Sequence, residues 1–244
     1  MLVSIVLPTF NESGNIVLLV NKICEYVPVE WDYEIIVVDD NSPDGTYKLV
    51  CETFAGNHKV KPVLRTFDRG FAKSIRAGIE IAQGNKIVVM DTDFTHSPEE
   101  LPKLLYISDC YDIVSASRFC AGGNMQSMRH YLASFFYNLL IRIILHSQIQ
   151  DNLGGYFIID REKLFTLPFD LIFYGYGEYY FRLLFYAESK KITVLEIPAN
   201  YRSRESGKSK SSFVKMLFSY TKELLNLRFK SQIKENNVSF DNKK

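Results

Sequence analysis

Cysteine is scarce in this chain of 244 residues: there are four, Cys24, Cys51, Cys110 and Cys120. They form no C-x-x-C pair and no regular ladder. That argues against a disulfide framework and leaves free thiols in a reducing cytoplasm. Long apolar runs are missing too. No window of about 18 apolar residues exists, so no transmembrane helix is expected. Leu2 to Leu7 is too short, and lacks the basic start, for a signal peptide. Net charge of either sign is nearly absent, at +1, so no bulk electrostatic partner such as nucleic acid is implied. There is no G-x-x-x-x-G-K-[ST] and no G-x-G-x-x-G, which excludes a P-loop NTPase and an ordinary dinucleotide-binding domain. No internal repeat or low-complexity tract is visible.

What the chain does have is apolar and aromatic content, 47% and 14%, ample for a buried core. Its length suits one domain over residues 1–230, with residues 231–244 expected to be a disordered polar tail. Charge is unevenly spread. Residues 201–244 hold eleven Lys and Arg against four Asp and Glu, which suits an anionic surface or ligand. Apolar strand segments at 2–7, 34–38, 60–65 and 86–90 alternate with helical segments at 13–26, 46–54 and 71–82. That rhythm predicts an α/β fold with a mostly parallel, doubly wound sheet and helices on both faces. Further strands are expected at 112–116, 154–159 and 191–197, and helices after Ser97, up to Ala187 and over 213–229. Between Met128 and Ile144 the apolar residues fall on one helical stripe. The stripe reads equally as a core-packing face or as a membrane-surface face.

The stretch the rest is organised around is Ile87 to Glu100. Four apolar residues run into Asp91-Thr92-Asp93. Two carboxylates one residue apart at the end of a buried strand are costly unless a cation meets them. Mg²⁺ and Mn²⁺ take carboxylate oxygens and bridge phosphates, and Thr95 adds a hydroxyl as a candidate ligand. Ser97-Pro98-Glu99-Glu100 reads as a helix start: cap, first-position proline, acidic first turn. Glu12, Asp39 and Asp40 follow two other early strands. Such strand ends share one sheet edge, where α/β folds bind ligands. Carboxylates gathered there make sense if they grip nucleotide hydroxyls and ring N–H groups and hold a metal on its phosphates. Arg118, Arg129, Arg204 and Lys210 are candidate phosphate partners.

Several of these stretches resemble a known family. Pro8-Thr-Phe-Asn-Glu12, the V-D-D-N-S-P-D-G-T run from Val38 to Thr46, Gly84 to Asp93 and Asp112 to Arg118 are similar to family 2 glycosyltransferases of the GT-A fold. The branch they look most like is the polyprenyl (dolichol) phosphate mannosyltransferases, with Asp93-Phe-Thr-His-Ser-Pro-Glu99 and Arg204-Glu-Ser-Gly-Lys-Ser-Lys210 supporting it. The resemblance implies an inverting, metal-dependent transferase. It would use Mg²⁺ or Mn²⁺ and a nucleotide diphosphate sugar, GDP-mannose ahead of a UDP-hexose. The acceptor would be a polyprenyl phosphate on the cytoplasmic face of a membrane, with or without a membrane subunit. It also implies roles. Pro8, Phe10 and Glu12 would border base and ribose. Val38 and Asp40 would contact the base, with Asp39 beside them. Asp91, Thr92 and Asp93 would meet ribose, diphosphate and metal. Arg118, Arg204 and Lys210 would contact phosphates, with Arg129 a further acceptor-phosphate candidate. Residues 1–118 would then be the donor half and 119–230 the acceptor and membrane-facing half.

The sequence departs from the branch at Thr95, where Gln is common, at Phe157, where Arg is usual, and at Glu178-Tyr179. Two alternatives stand beside the lipid-phosphate reading. In one, the acceptor is a hydroxyl of a surface glycan and Glu178 or Asp151 is the base. In the other, the chain is a catalytically silent nucleotide-sugar-binding subunit.

Overall fold

The computed structural model describes residues 1–202 and 216–229. Its frame is a seven-stranded sheet in the order β3-β2-β1-β4-β7-β5-β8. The strands are β1 (Leu2–Thr9), β2 (Asp32–Asp39), β3 (Val60–Leu64), β4 (Lys86–Val89), β5 (Ile113–Ser117), β7 (Phe157–Asp160) and β8 (Val194–Pro198). Neighbours run parallel except β7, which lies antiparallel between β4 and β5, Val88 facing Ile158 and Ile113 facing Ile159. Each strand expected from sequence is present. The outer strand β3 carries Pro62, which cannot donate to a further strand and blunts that edge. A two-stranded ribbon, β6 (Asn124–Met125) with β9 (Asn200–Tyr201), is too short to have shown in the sequence.

The strands are apolar on both faces because both faces are covered. Val6, Ile36, Val38, Ile87 and Val89 belong to one core cluster, and their neighbours Ile5, Leu7, Ile35, Val37 and Val88 to the other. Side chains alternate across a strand, so consecutive residues feed opposite cores. Helices α1 (Ile16–Tyr26) and α4 (Leu101–Ile107) contribute to the second cluster, α3 (Phe71–Ile81) and α8 (Glu178–Ser189) to the first. Between them in the chain come α2 (Thr46–Thr53), α5 (Met128–Leu145), α6 (Arg161–Phe165) and α7 (Phe169–Ile172). Helix α3 lies close on the sheet at Gly78, where a Cβ would sit 2.4 Å from Val6 Cγ1.

Helix α5 leaves most of its apolar stripe uncovered. Met128, Leu132, Phe135, Phe136, Leu139, Leu140 and Ile143 are 39–66% exposed, whereas Asn138 and Ile141 are buried. The core-packing reading therefore fails for most of the stripe: α5 is seated by its other side. A last helix, α9 (216–229), packs Tyr220, Leu224 and Leu227 into the core and leaves Leu217, Phe218, Leu225 and Phe229 exposed. It touches α5 through the Tyr137 and Thr221 hydroxyls, 3.1 Å apart. No helix among the described residues is long and apolar enough to cross a membrane. Residues 213–215 of the expected C-terminal helix and the expected tail at 231–244 lie outside the described residues.

Candidate active site

The loops after β1 and β2 are stitched to each other. Asn11 N–H donates to Ser42 Oγ at 2.9 Å, Glu12 N–H to Thr46 Oγ1 at 3.0 Å and Ser13 N–H to Asp44 Oδ2 at 3.1 Å. Phe10 stands at this edge, 40% exposed, and the Glu12 carboxylate accepts from Asn15 Nδ2 at 2.9 Å. Asp39 is buried and braces the turn, taking the Ser42 N–H at 2.8 Å on Oδ1. The Ser42 hydroxyl donates to its other oxygen. Asp40 pairs with Arg65 and accepts the Gly70 N–H at 2.6 Å. Val38 points into the core beneath Gly78 of α3. Asp39 and Asp40 thus brace this sheet edge, on which Phe10 stands exposed, while the Val38 side chain belongs to the core. The Pro8 carbonyl accepts from Thr92 Oγ1 at 3.4 Å, joining this edge to the acid turn.

The acid turn follows β4. Asp93 is 8% exposed, and its Oδ1 accepts both the N–H and the hydroxyl of Thr95, at 3.1 and 2.6 Å. Thr95 therefore orients Asp93 as well as standing near it. Phe94 between them has φ of 63°, a left-handed conformation that a bulky residue adopts at a cost of about 1–3 kcal/mol. The Phe94 ring, buried in the second core, holds that turn in place. Ser97 caps the following turn as expected, accepting from Glu99 N–H, with Pro98 behind it.

His96, which the sequence reading passed over, fixes this turn from behind. Its Nδ1 accepts the Asp91 N–H at 2.8 Å, and its Nε2 faces the Gly154 carbonyl oxygen at 3.1 Å. The ring is stacked on Tyr156 at 5.0 Å and meets Tyr201 edge-on at 4.9 Å. Complete burial pushes its pKa down to about 4, despite the nearby Asp93 charge, so the ring is neutral at physiological pH.

Arg118 follows directly on β5 and is buried. Its Nε and Nη2 grip Asp151 bidentately at 2.8 and 2.7 Å, and its own N–H adds a third bond at 3.0 Å. Burial alone would lower its pKa, but the Asp151 charge overrides this and raises it. Arg118 thus holds the 151–155 segment, and Asp151, fully buried, is committed to it. Glu178 is likewise committed: buried at the start of α8, it accepts from Tyr176 N–H at 2.8 Å and from the Ser219 hydroxyl. Arg129 is exposed on the first turn of α5. Arg204 and Lys210 lie outside the described residues. The residue before that gap, Arg202, donates its N–H to the Thr95 carbonyl at 3.3 Å and pairs with Glu99. It also lines an open hollow of about 320 Å³ with Asn124, Met125, Gln126, Asn200 and Tyr201.

Among the described residues no three His, Cys, Asp or Glu side chains converge as a protein-only metal cage. Two carboxylates and a hydroxyl fit instead a hard ion whose shell is completed by phosphate oxygens, the usual habit of Mg²⁺.

Comparison with known proteins bears on this edge. Residues 4–166 match the family Glycosyl transferase family 2. A dolichol-phosphate mannosyltransferase of Pyrococcus furiosus is 32% identical over 93% of this chain and 64% of its own length, so this chain spans under two thirds of that relative. A polyprenol monophosphomannose synthase of Mycolicibacterium smegmatis is 33% identical over 85% of this chain and 80% of its own. Among solved structures, glucosyl-3-phosphoglycerate synthase from Mycobacterium tuberculosis superposes with a TM-score of 0.69 at 18% identity, covering 93% of this chain and 78% of that one. That structure was determined with Mn²⁺, uridine diphosphate and phosphoglyceric acid, and a further one of the same enzyme with Mg²⁺ and uridine diphosphate. At such identity the likeness establishes the shared GT-A fold.

Proposed function

The chain belongs to glycosyl transferase family 2, and on that premise we propose that it moves mannose from a nucleotide diphosphate sugar to a polyprenyl phosphate at a membrane surface. GDP-mannose is the preferred donor, ahead of a UDP-hexose. The observation that carries this reading is the joining of the Asp91–Thr95 acid turn to Arg202, where the basic C-terminal segment begins. The acids that would hold a metal are thereby tied to the residue from which the basic sequence after 202 follows. The names of the 32% and 33% identical relatives support mannose and a lipid phosphate.

In this scheme Asp91 and Asp93 would hold Mg²⁺ or Mn²⁺, which would supply positive charge to offset that gathering on the leaving diphosphate. Thr95 and His96 keep the two carboxylates oriented. Arg204 and Lys210, by their charge, would be the cations for the phosphate oxygens. A phosphate acceptor is anionic at neutral pH and needs no general base. This agrees with the commitments of Asp151 and Glu178, which argue against the glycan-hydroxyl alternative. The exposed faces of α5 and α9 lay the chain on the lipid surface, apolar burial and basic charge acting together.

The test uses purified protein, Mg²⁺ or Mn²⁺, and a panel of labelled nucleotide sugars with and without undecaprenyl or dolichyl phosphate. Label is expected to enter the lipid phase from GDP-mannose. Donor hydrolysis without lipid product would sink the acceptor assignment. Replacing Asp93 by Ala is expected to cut turnover by about 10²-fold or more while the fold is kept, which a silent subunit would not do.

A further inference from the structure

We infer that His96 is a positioning residue that sets the backbone of the acid turn, and so the metal–diphosphate geometry, from behind the site. The inference rests on the reading of Asp91 and Asp93 as metal ligands. Three observations converge. First, Asp91 stands two residues past the end of β4, and its N–H is taken by an imidazole nitrogen at 2.8 Å. An N–H bonded to a side chain leaves the strand where that side chain directs it. Second, the far nitrogen of the same ring faces the carbonyl of Gly154, 58 residues away in sequence, at 3.1 Å. An amide N–H only donates and a carbonyl only accepts, so the bonding assigns one tautomer: bare Nδ1, protonated Nε2. Third, the ring has no freedom to turn. It is 2% exposed, stacked on Tyr156 and edge-on to Tyr201, with the Asp91 carboxylate 3.8 Å from Nε2.

The anchor is itself braced. Asp151 holds Arg118, Asn152 N–H donates to Asn138 Oδ1 of α5 at 2.7 Å, and the Tyr179 hydroxyl reaches the Gly155 carbonyl at 3.5 Å. The ring therefore references Asp91 to a segment fixed by β5, α5 and α8. Groups behind metal ligands commonly carry about 10–100-fold of metal affinity.

Two near-isosteric variants separate positioning from packing. In His96→Asn the side-chain oxygen falls near the place of Nδ1 and keeps an acceptor for Asp91 N–H. In His96→Gln the amide falls near Nε2, keeping the link to Gly154 and losing the one to Asp91. Titration calorimetry with Mn²⁺ plus GDP, and Mn²⁺ plus UDP, reads their affinities. His96→Gln is expected to bind about tenfold more weakly than wild type and His96→Asn within about threefold. A packing role predicts the reverse rank, because Gln fills more of the ring's volume. Equal affinities, or a better Gln variant, overturn the inference. Wild-type protein that binds neither mixture overturns the metal-site reading, and this inference with it. If either variant fails to fold, nitrogen-15 NMR of the metal-free wild type decides. A scalar coupling between the Asp91 amide nitrogen and His96 Nδ1, with the Nδ1 shift moving when Mg²⁺ and the bound nucleotide are added, supports the role. A protonated Nδ1, or a coupling and shift indifferent to the added mixture, removes it.

Discussion

Glu34 illustrates at the residue scale what burial does to an acid remote from the site. It lies near the start of β2, buried, and accepts from the Ser4 hydroxyl, the Gln83 N–H and Lys61 Nζ. Desolvation alone would raise its pKa, but these partners outweigh it and hold the value below the ordinary 4.5. A depressed carboxylate stabilises the fold above its unfolded pKa and loses that contribution as pH falls through the folded value. Wild-type protein is therefore expected to lose thermal stability as pH drops below about 4.5, and Glu34→Gln to show a flatter acid limb while starting about 2 kcal/mol lower at neutral pH. Melting curves across pH check both. Local patterns were legible where a few neighbouring positions carry them, as the Ser97 cap before Pro98 shows. Asp91 and Asp93, one residue apart, fall in the turn after β4 where the sequence put them. The bonding of His96 and Asp151 was not legible, because their partners sit across the fold: Gly154 for one, Arg118 for the other. Asp39 and Asp40 lie at the C-terminal end of β2 as the strand pattern predicts, but Ser42, Gly70 and Arg65, which use their oxygens, come from loops whose paths the sequence does not reveal.

At the scale of elements, α5 shows what periodicity can and cannot say. An apolar stripe at helical spacing establishes a helix and a face. It does not say what meets that face, since lipid and protein core present the same apolar chemistry. The deciding residue is polar: Asn138 is buried, caps Asn152 N–H with its oxygen and turns the stripe outward. Phe136 and Ile143 are 64% and 62% exposed, so replacing both with Glu is expected to change unfolding free energy by less than about 1 kcal/mol. The same pair is expected to weaken binding to anionic vesicles by about tenfold or more, since each large apolar side chain contributes about 1.5–3 kcal/mol when buried. Co-sedimentation with phosphatidylglycerol vesicles, beside a urea melt, separates the two effects. Unchanged vesicle binding would remove α5 from the membrane reading. The short ribbon of β6 and β9 escaped the sequence reading because strands of two residues have no period to detect.

At the scale of the whole molecule, distant parts of the chain are interlocked. Helix α9 is held by Ser219 on Glu178, by Glu223 on Tyr174 and Arg182, and by Tyr220 against the Gly175–Gly177 turn. A Cβ on Gly177 would lie 2.0 Å from the Tyr220 hydroxyl. Gly177→Ala is expected to destabilise the protein by about 1–3 kcal/mol, and Tyr220→Phe in the same chain to recover part of the loss, both read by urea denaturation. The mostly parallel sheet was legible in the strand–helix rhythm, but the antiparallel insertion of β7 was not, since direction within a sheet leaves no mark on a four-residue strand. That insertion has a consequence for how the chain comes off the ribosome. Once Val89 has emerged, β4 presents an unpaired apolar edge, and the strand that will cover it follows only at Phe157 to Asp160. Strand β5 emerges in that interval with neither of its neighbours, β7 and β8, yet made. Open edges recruit other chains, so the nascent protein passes through an interval of self-association risk that ends when β7 slides in. Residues 1–118 and 119–229 are thus not separable folding units: a break near residue 118 would leave each part with a strand edge that only the other can fill.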